Sequence, residues 1–330
     1  MEQTILITGC AGLLGSNFSR YLLSKGYIVI GIDNFFGGYK DFLPTNENFK
    51  FYELNLETSD LNEIFNNHNI DCVFHFAAYA AEGLSPFIRK FNYTNNVISS
   101  VNLINHCIQQ DIKIVFTSSM AVYGNQIPPF NENMVPSPID PYGIAKFSIE
   151  QDIISANNQF GLKYNIIRPH NVLGIYQNIW DRYRNVIGIF IRRVLNNEPI
   201  LIYGDGEQTR AFSDIKYYME VFENLILKFN NQTYNIGAEK YYSINEIATI
   251  VQNIGIKFGY HSNIEYGEAR HEVKHAYCDH TKAIQDLNFT DNTNINELIE
   301  NVFTWAMSQP SRAVKNMNYE VDKNIYKYWQ

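Results

Sequence analysis

The apolar run "TILIT" (Thr4–Thr8) passes directly into "GCAGLLG" (Gly9–Gly15), and a helical pattern, "SNFSRYLLSKG", follows without a break. Glycines at 9, 12 and 15 remove Cβ atoms where the backbone must turn sharply from strand to helix. They also leave the N–H groups of the helix start open to an anion, which the helix dipole favours. Strand, three glycines and helix in this order predict a dinucleotide-binding βα unit. The same glycines could serve a tight turn without a ligand, so the next acidic residue matters.

That residue is Asp33, which ends the run "YIVIGID" 18 positions after Gly15. A carboxylate there accepts both hydroxyls of an adenosine ribose and repels a 2′-phosphate, and no arginine follows closely to hold one. The expected cofactor is NAD rather than NADP.

Further short apolar runs, "FKFYELNL", "CVFHFAA", "KIVFTSS" and "YNIIRPH", have the character of strands buried on both faces. Between them lie segments with apolar residues at three- and four-residue spacing, clearest in "NNVISSVNLINHCIQQ" and "PYGIAKFSIEQDIISANNQFG". Such alternation predicts an α/β protein with a doubly wound parallel sheet. After Gly174 the pattern is mixed: a helix at "VIGIFIRRVLN", a short strand "ILIYG", a turn "GDGEQ", and a capped helix "SINEIATIVQNIG" ending at a glycine. The expected organisation is a nucleotide-binding domain over 1–174 with a return near 205–240, and a smaller mixed α/β lobe from 175–204 and 241–330.

Composition excludes several classes. With 45% hydrophobic and 18% charged residues the chain can build a large core, and its net charge of −8 comes without a basic block. A nucleic-acid or anionic-membrane partner is therefore not expected. The four cysteines are scattered with no C-x-x-C pair, which suits a reducing compartment and argues against a disulfide framework or a thiolate metal site. No run approaches the ~20 apolar residues that span a bilayer, and the first residues carry no secretory pattern, so the cytoplasm is the expected location.

Two stretches carry chemistry. "FTSSMAVYG" ends the fifth apolar run, and "PYGIAK" opens the next helix, placing Tyr142 and Lys146 four apart on one helix face. An ammonium near a phenol favours phenolate and lowers its pKa, so Tyr142 is a candidate general base with Lys146 beside it. Ser119, with Ser118 as the weaker choice, would hydrogen-bond the reacting oxygen. A third stretch, "HEVKH" (His271–His275), matches the zinc-protease pattern, but that site needs a helix, and "NIEYGEA" before it reads as strand and turn. No metal is expected.

The motifs "TGCAGLLG", "DN" at Asp33–Asn34, "HFAA", "TSSMAVYG", "PYGIAK", "RPHNVLG", "GDGEQTRAF" and "YNIGAEKYYSINEIA" occur in the chain in this order, within a resemblance that covers about residues 3–305. In this the chain resembles the extended short-chain dehydrogenases/reductases, in the branch of nucleotide-sugar epimerases and dehydratases. The resemblance implies a Rossmann-type domain holding NAD, a C-terminal lobe for a nucleotide-diphospho-sugar, and oxidation at the sugar C4. It implies Ser119, Tyr142 and Lys146 as the catalytic triad. Around NAD it implies Gly9, Gly12, Leu13, Leu14, Gly15, Asp33, Asn34, Asn55, Leu56, Phe76, Ala77 and Ala78, together with Tyr142 and Lys146. On the substrate it implies Ser119, Asn95, Asn171, Asn185, Arg210 and Arg270, the two arginines clamping the diphosphate. It also implies a homodimer through the helices near 92–109 and 141–159.

The chain departs from the pattern at Asn55, where relatives have an Asp, and at Ala80, where some epimerases have a lysine. Met120 and Ala121 follow Ser119 where water-eliminating relatives carry an acidic pair. Neither residue can move a proton, so dehydration is disfavoured. A UDP-sugar 4-epimerase is the expected function. A UDP- or GDP-linked 4-dehydrogenase or 4-ketoreductase is the alternative, and a non-enzymatic NAD-binding scaffold would be expected to lose Tyr142 or Lys146.

Overall fold

A computed structural model describes residues 3–330. Seven parallel strands form one sheet, in the order Gln232–Ile236, Tyr164–Pro169, Lys113–Thr117, Cys72–His75, Thr4–Thr8, Ile28–Asp33, Phe49–Glu53. Each of the six apolar runs before Gly174 contains a strand of this sheet, and the seventh strand, Gln232–Ile236, is not among them. Alternate residues serve opposite faces. Ile5, Ile7, Phe74, Val115 and Ile167 join a core with the helices Leu13–Ser24 and Met219–Leu227. Leu6, Ile30, Val73, Ile114 and Ile166 join a second core with the helices Ser99–Gln109 and Pro141–Phe160. Covering both faces is what a wholly parallel sheet requires.

Chain order reverses between Thr4–Thr8 and Cys72–His75, which are neighbours in the sheet. The crevice outside the carboxyl ends of two such strands is where open α/β sheets bind ligands. Gly9 and Phe76 leave the sheet there.

A third core lies beyond the sheet, built on the helices Val186–Leu195, Ile244–Lys257 and Ile295–Met307. Short strands accompany it: Ile200–Tyr203 beside Ile264–Gly267, and Thr209–Ala211 between Tyr241–Ser243 and His275–Ala276. Ser243 and Glu246 form the capping box expected at the start of the second of these helices, but its end differs from expectation. Gly255 sits inside the helix against Val194, and the turn is made instead by Gly259 at φ +85°. A glycine packed against a neighbouring helix and one ending its own helix look alike in sequence.

The HEVKH segment is a bend leading into the strand His275–Ala276, not a helix. Its histidines cannot share one helix face, and His275 Nδ1 lies 2.9 Å from Thr209 Oγ1. No helix among the described residues is long and apolar enough to cross a membrane.

Candidate active site

One cavity of about 1100 Å³ opens at the strand-order reversal and runs between the sheet and the C-terminal lobe. It is larger than the ~300–1,000 Å³ typical of a single small-ligand pocket, as two adjoining ligands would require. All twenty residues singled out from the sequence line it, from Gly9 to Arg270.

The glycine turn has the shape a dinucleotide needs. Gly9 has φ +71°, a conformation that disfavours a side chain, and a Cβ at Gly15 would fall 2.2 Å from the Gly9 carbonyl oxygen. Gly12 precedes the helix Leu13–Ser24, so the unpaired N–H groups of that first turn face the cavity with the positive end of the dipole. Asp33 accepts from the Ala11 and Phe35 N–H groups at 3.0 and 2.8 Å, which pins its carboxylate at the rim. Burial nevertheless raises its pKa, and a ribose diol would supply the missing solvation. Asn34 accepts from Phe36 N and Asn55 from Glu57 N, each fixing its own turn. Phe76 and Ala77 donate to the carbonyl and hydroxyl of Thr8, which ties the two strand ends together. These residues fit NAD.

Two strands along the sheet from the glycine turn, Tyr142 and Lys146 project from the first turns of the helix Pro141–Phe160, capped by Asp140. They do not form the direct pair that their spacing suggests. Lys146 Nζ donates to the Thr117 carbonyl at 2.6 Å and lies 5.9 Å from the Tyr142 ring centroid. Burial draws its pKa down to about 7, opposed by the Glu150 carboxylate. The Tyr142 phenol is pushed above its ordinary value by burial, while the neighbouring Ser119 hydroxyl draws it back. The anticipated lowering of the phenol is therefore not present in the protein alone. A buried phenolate needs more compensation than an ammonium 5.9 Å from its ring provides.

The two adjacent serines differ. Ser118 is buried and donates to Glu150, which also holds Arg168 through paired bonds of 2.9 and 2.6 Å. Ser119 remains at the cavity wall, its Oγ accepting only from Ala121 N at 3.1 Å in the protein.

Over the C-terminal lobe, Arg210 is already engaged. It pairs with Glu272 at 3.1 Å and donates to the Val273 carbonyl at 2.6 Å. Asn171 donates to the Ala211 carbonyl at 3.0 Å, Asn95 to the Asn96 side chain at 3.1 Å, and Asn185 starts the helix Val186–Leu195 at φ +68°.

Residues 5–237 match the family model of the NAD dependent epimerase/dehydratase family. The chain belongs to that family. A putative UDP-glucose 4-epimerase of Methanocaldococcus jannaschii is 34% identical over 307 residues, covering 91% of this chain and 97% of that one. The crystal structure of UDP-glucose 4-epimerase with UDP-glucose from Thermotoga maritima is 30% identical, with TM-score 0.86 over 92% of this chain and 99% of that one. The UDP-N-acetylglucosamine 4-epimerase from Methanobrevibacter ruminantium, in complex with UDP-N-acetylmuramic acid, is 29% identical, with TM-score 0.86 over 94% and 99%.

Within this family member several cavity residues escaped the sequence reading. Glu82 is half-buried at the wall, its pKa raised to about 7 by burial and by the Asp140 carboxylate. Ser85 links that stretch to the helix Pro141–Phe160, donating to the Glu82 carbonyl at 2.8 Å and accepting from Tyr142 N at 3.1 Å. Arg184 reaches the Gly37 carbonyl at 3.1 Å while paired with Asp181, which brings a cation to the Asp33 corner. The signal available was a lone carboxylate in the apolar stretch "YAAEGLSPF"; Arg184 had none, since its partner turn lies far off in sequence.

Proposed function

We propose that this protein is an NAD-dependent UDP-sugar 4-epimerase. The observation that carries this reading is the convergence on one cavity of the glycine turn, Asp33, Ser119, Tyr142, Lys146 and two arginines. UDP-sugar 4-epimerases among the relatives support the nucleotide and the reaction.

NAD, when bound, would supply a reversible hydride acceptor for the sugar C4, and return of the hydride to the opposite face of the 4-keto sugar would invert C4 with no net redox change. Tyr142 takes the proton of the C4 hydroxyl and gives it back, and Ser119 hydrogen-bonds the same oxygen. Lys146, anchored on Thr117, provides positive charge on the phenol side of the site and a donor for the nicotinamide ribose. Arg210 and Arg270 face the diphosphate, and Asn95, Asn171 and Asn185 the rest of the nucleotide sugar. Met120 and Ala121 bring no proton-transfer group to the site, in keeping with epimerisation rather than dehydration.

The reading divides the chain at about 174, with 205–240 returning to the NAD side. It places a dimer on the helices near 92–109 and 141–159, where Ile98 and Ile144 are exposed on the surface. Four unpaired, buried cysteines suit the cytoplasm.

The test is incubation of the purified protein with UDP-glucose, UDP-N-acetylglucosamine and their C4 epimers, following product identity and absorbance of reduced nicotinamide together. Interconversion without a lasting reduced-nicotinamide signal is expected. Accumulation of reduced cofactor with a 4-keto product would replace this reading with a 4-dehydrogenase.

A further inference from the structure

Arg270 is enclosed by aromatic rings rather than by acids. Its guanidinium carbon lies 3.3 Å from the Tyr203 ring centroid, 4.7 Å from that of Trp329 and 5.6 Å from that of Tyr326. The nearby carboxylates are taken by others: Glu272 by Arg210 at 3.1 Å, and Glu268 by Lys327 at 3.0 Å. Arg270 Nε is buried without a hydrogen-bond partner. Ring faces attract a cation but cannot accept its in-plane N–H bonds. The cage therefore fixes the orientation of the guanidinium and leaves its hydrogen bonding to a ligand. Arg270 lines the cavity beside Gly83 of the Rossmann half, where a Cβ would lie 4.0 Å from Arg270 Nη1.

Two of the three rings come from the C-terminal segment, well beyond residue 237 where the family model ends. That segment is tied down along its length. Glu320 accepts from the Lys90 and Phe91 N–H groups at 2.6 and 2.8 Å. Tyr319 meets Tyr183 at 3.0 Å and donates to the Trp329 carbonyl at 2.9 Å, and Tyr326 accepts from His271 N at 3.2 Å. Trp329 is only 3% exposed and packs with Phe87 and Tyr183. The tail thus links the segment after strand Cys72–His75 to the loop that carries Arg270.

We propose that Tyr326 and Trp329 are positioning residues for nucleotide-sugar binding: they hold Arg270 ready for the diphosphate, the partner its unfilled donors lack. This inference rests on the UDP-sugar reading above. An arginine free to rotate would lose much of its rotamer entropy on binding, and the cage removes that cost beforehand.

The experiment measures UDP binding to the NAD-loaded protein by calorimetry, and KM and kcat for the UDP-sugar. The variants are Trp329→Ala, Trp329→Phe, Arg270→Ala and the double Arg270→Ala/Trp329→Ala. Trp329→Ala is expected to weaken UDP binding about tenfold and raise KM in step, with kcat and NAD content nearly unchanged, and Trp329→Phe to recover most of the loss. In the Arg270→Ala background the Trp329 change should add less than about twofold, because it acts through the missing guanidinium. Should Trp329→Ala not fold, Tyr326→Leu takes its place in the same cycle. Full additivity in the double variant, or a fall in kcat at unchanged KM, would overturn the proposal. Failure of the unaltered protein to bind UDP would instead remove the UDP-sugar reading itself.

Discussion

Lys146 Nζ bonds the carbonyl of Thr117, the last residue of the strand that leads to Ser119. The ammonium is thereby fixed against the strand end, while the Tyr142 phenol stays in the cavity with the Ser119 hydroxyl beside it. Replacing Tyr142 by Phe removes the proposed proton acceptor and little else, since its backbone N–H is what bonds Ser85. Epimerisation by Tyr142→Phe is expected to slow by about 10²–10⁴-fold, with UDP and NAD binding retained. A variant that keeps more than a tenth of the activity would show that another group takes the proton.

Ser119 lowers the pKa of a phenol that burial raises. Loss of the Ser119 hydroxyl moves the phenol further up, so less of it is ionised at a given pH. The acid limb of the pH–rate profile of Ser119→Ala should shift to higher pH, and the loss in kcat should be larger at pH 6 than at pH 9. An equal loss at every pH would contradict the assignment.

Glu150 and Arg168 form a two-bonded ion pair whose side chains are 1% and 6% exposed, with Ser118 on the same carboxylate. Removing one partner strands a buried charge. Glu150→Ala is expected to destabilise the protein by about 3–5 kcal/mol, read from urea unfolding, whereas a surface pair such as Lys327–Glu268 should contribute under about 1 kcal/mol.

A Cβ at Gly15 would overlap the Gly9 carbonyl oxygen at 2.2 Å and Cys10 Cα at 2.6 Å, both backbone atoms that cannot swing aside. Gly15→Ala should therefore open the turn and release NAD. The cofactor content of the purified variant checks this: retention at the level of the unaltered protein would show that the turn yields without cost.

Acid stability should follow the histidines. Burial lowers His75 to about 3 and His280 to about 4, from an ordinary 6.5. As pH falls below 6.5 the unfolded chain takes up these protons first, so stability is intact above that pH and is lost progressively towards pH 4. The Tm should already decline between pH 6.5 and 5, before most carboxylates titrate. A constant Tm over that window would mean that the two imidazoles are solvated.

The sequence by itself settled whatever near neighbours in the chain decide. Gly9, Gly12 and Gly15 between a strand and a helix specify their turn through local sterics. Short continuous apolar runs specify strands buried on both faces, and the spacing of Tyr142 and Lys146 puts them on one side of a helix. Tertiary structure decided how these groups are paired: Lys146 on Thr117, Ser118 rather than Ser119 on Glu150, Arg210 with Glu272, and Arg270 among Tyr203, Tyr326 and Trp329. It also turned HEVKH into a bend and strand, leaving the five-letter match without the helix its chemistry needs. The physical reason is reach. Arg270 and Trp329 stand 59 positions apart in the chain, and no local period encodes which ring will close over which charge.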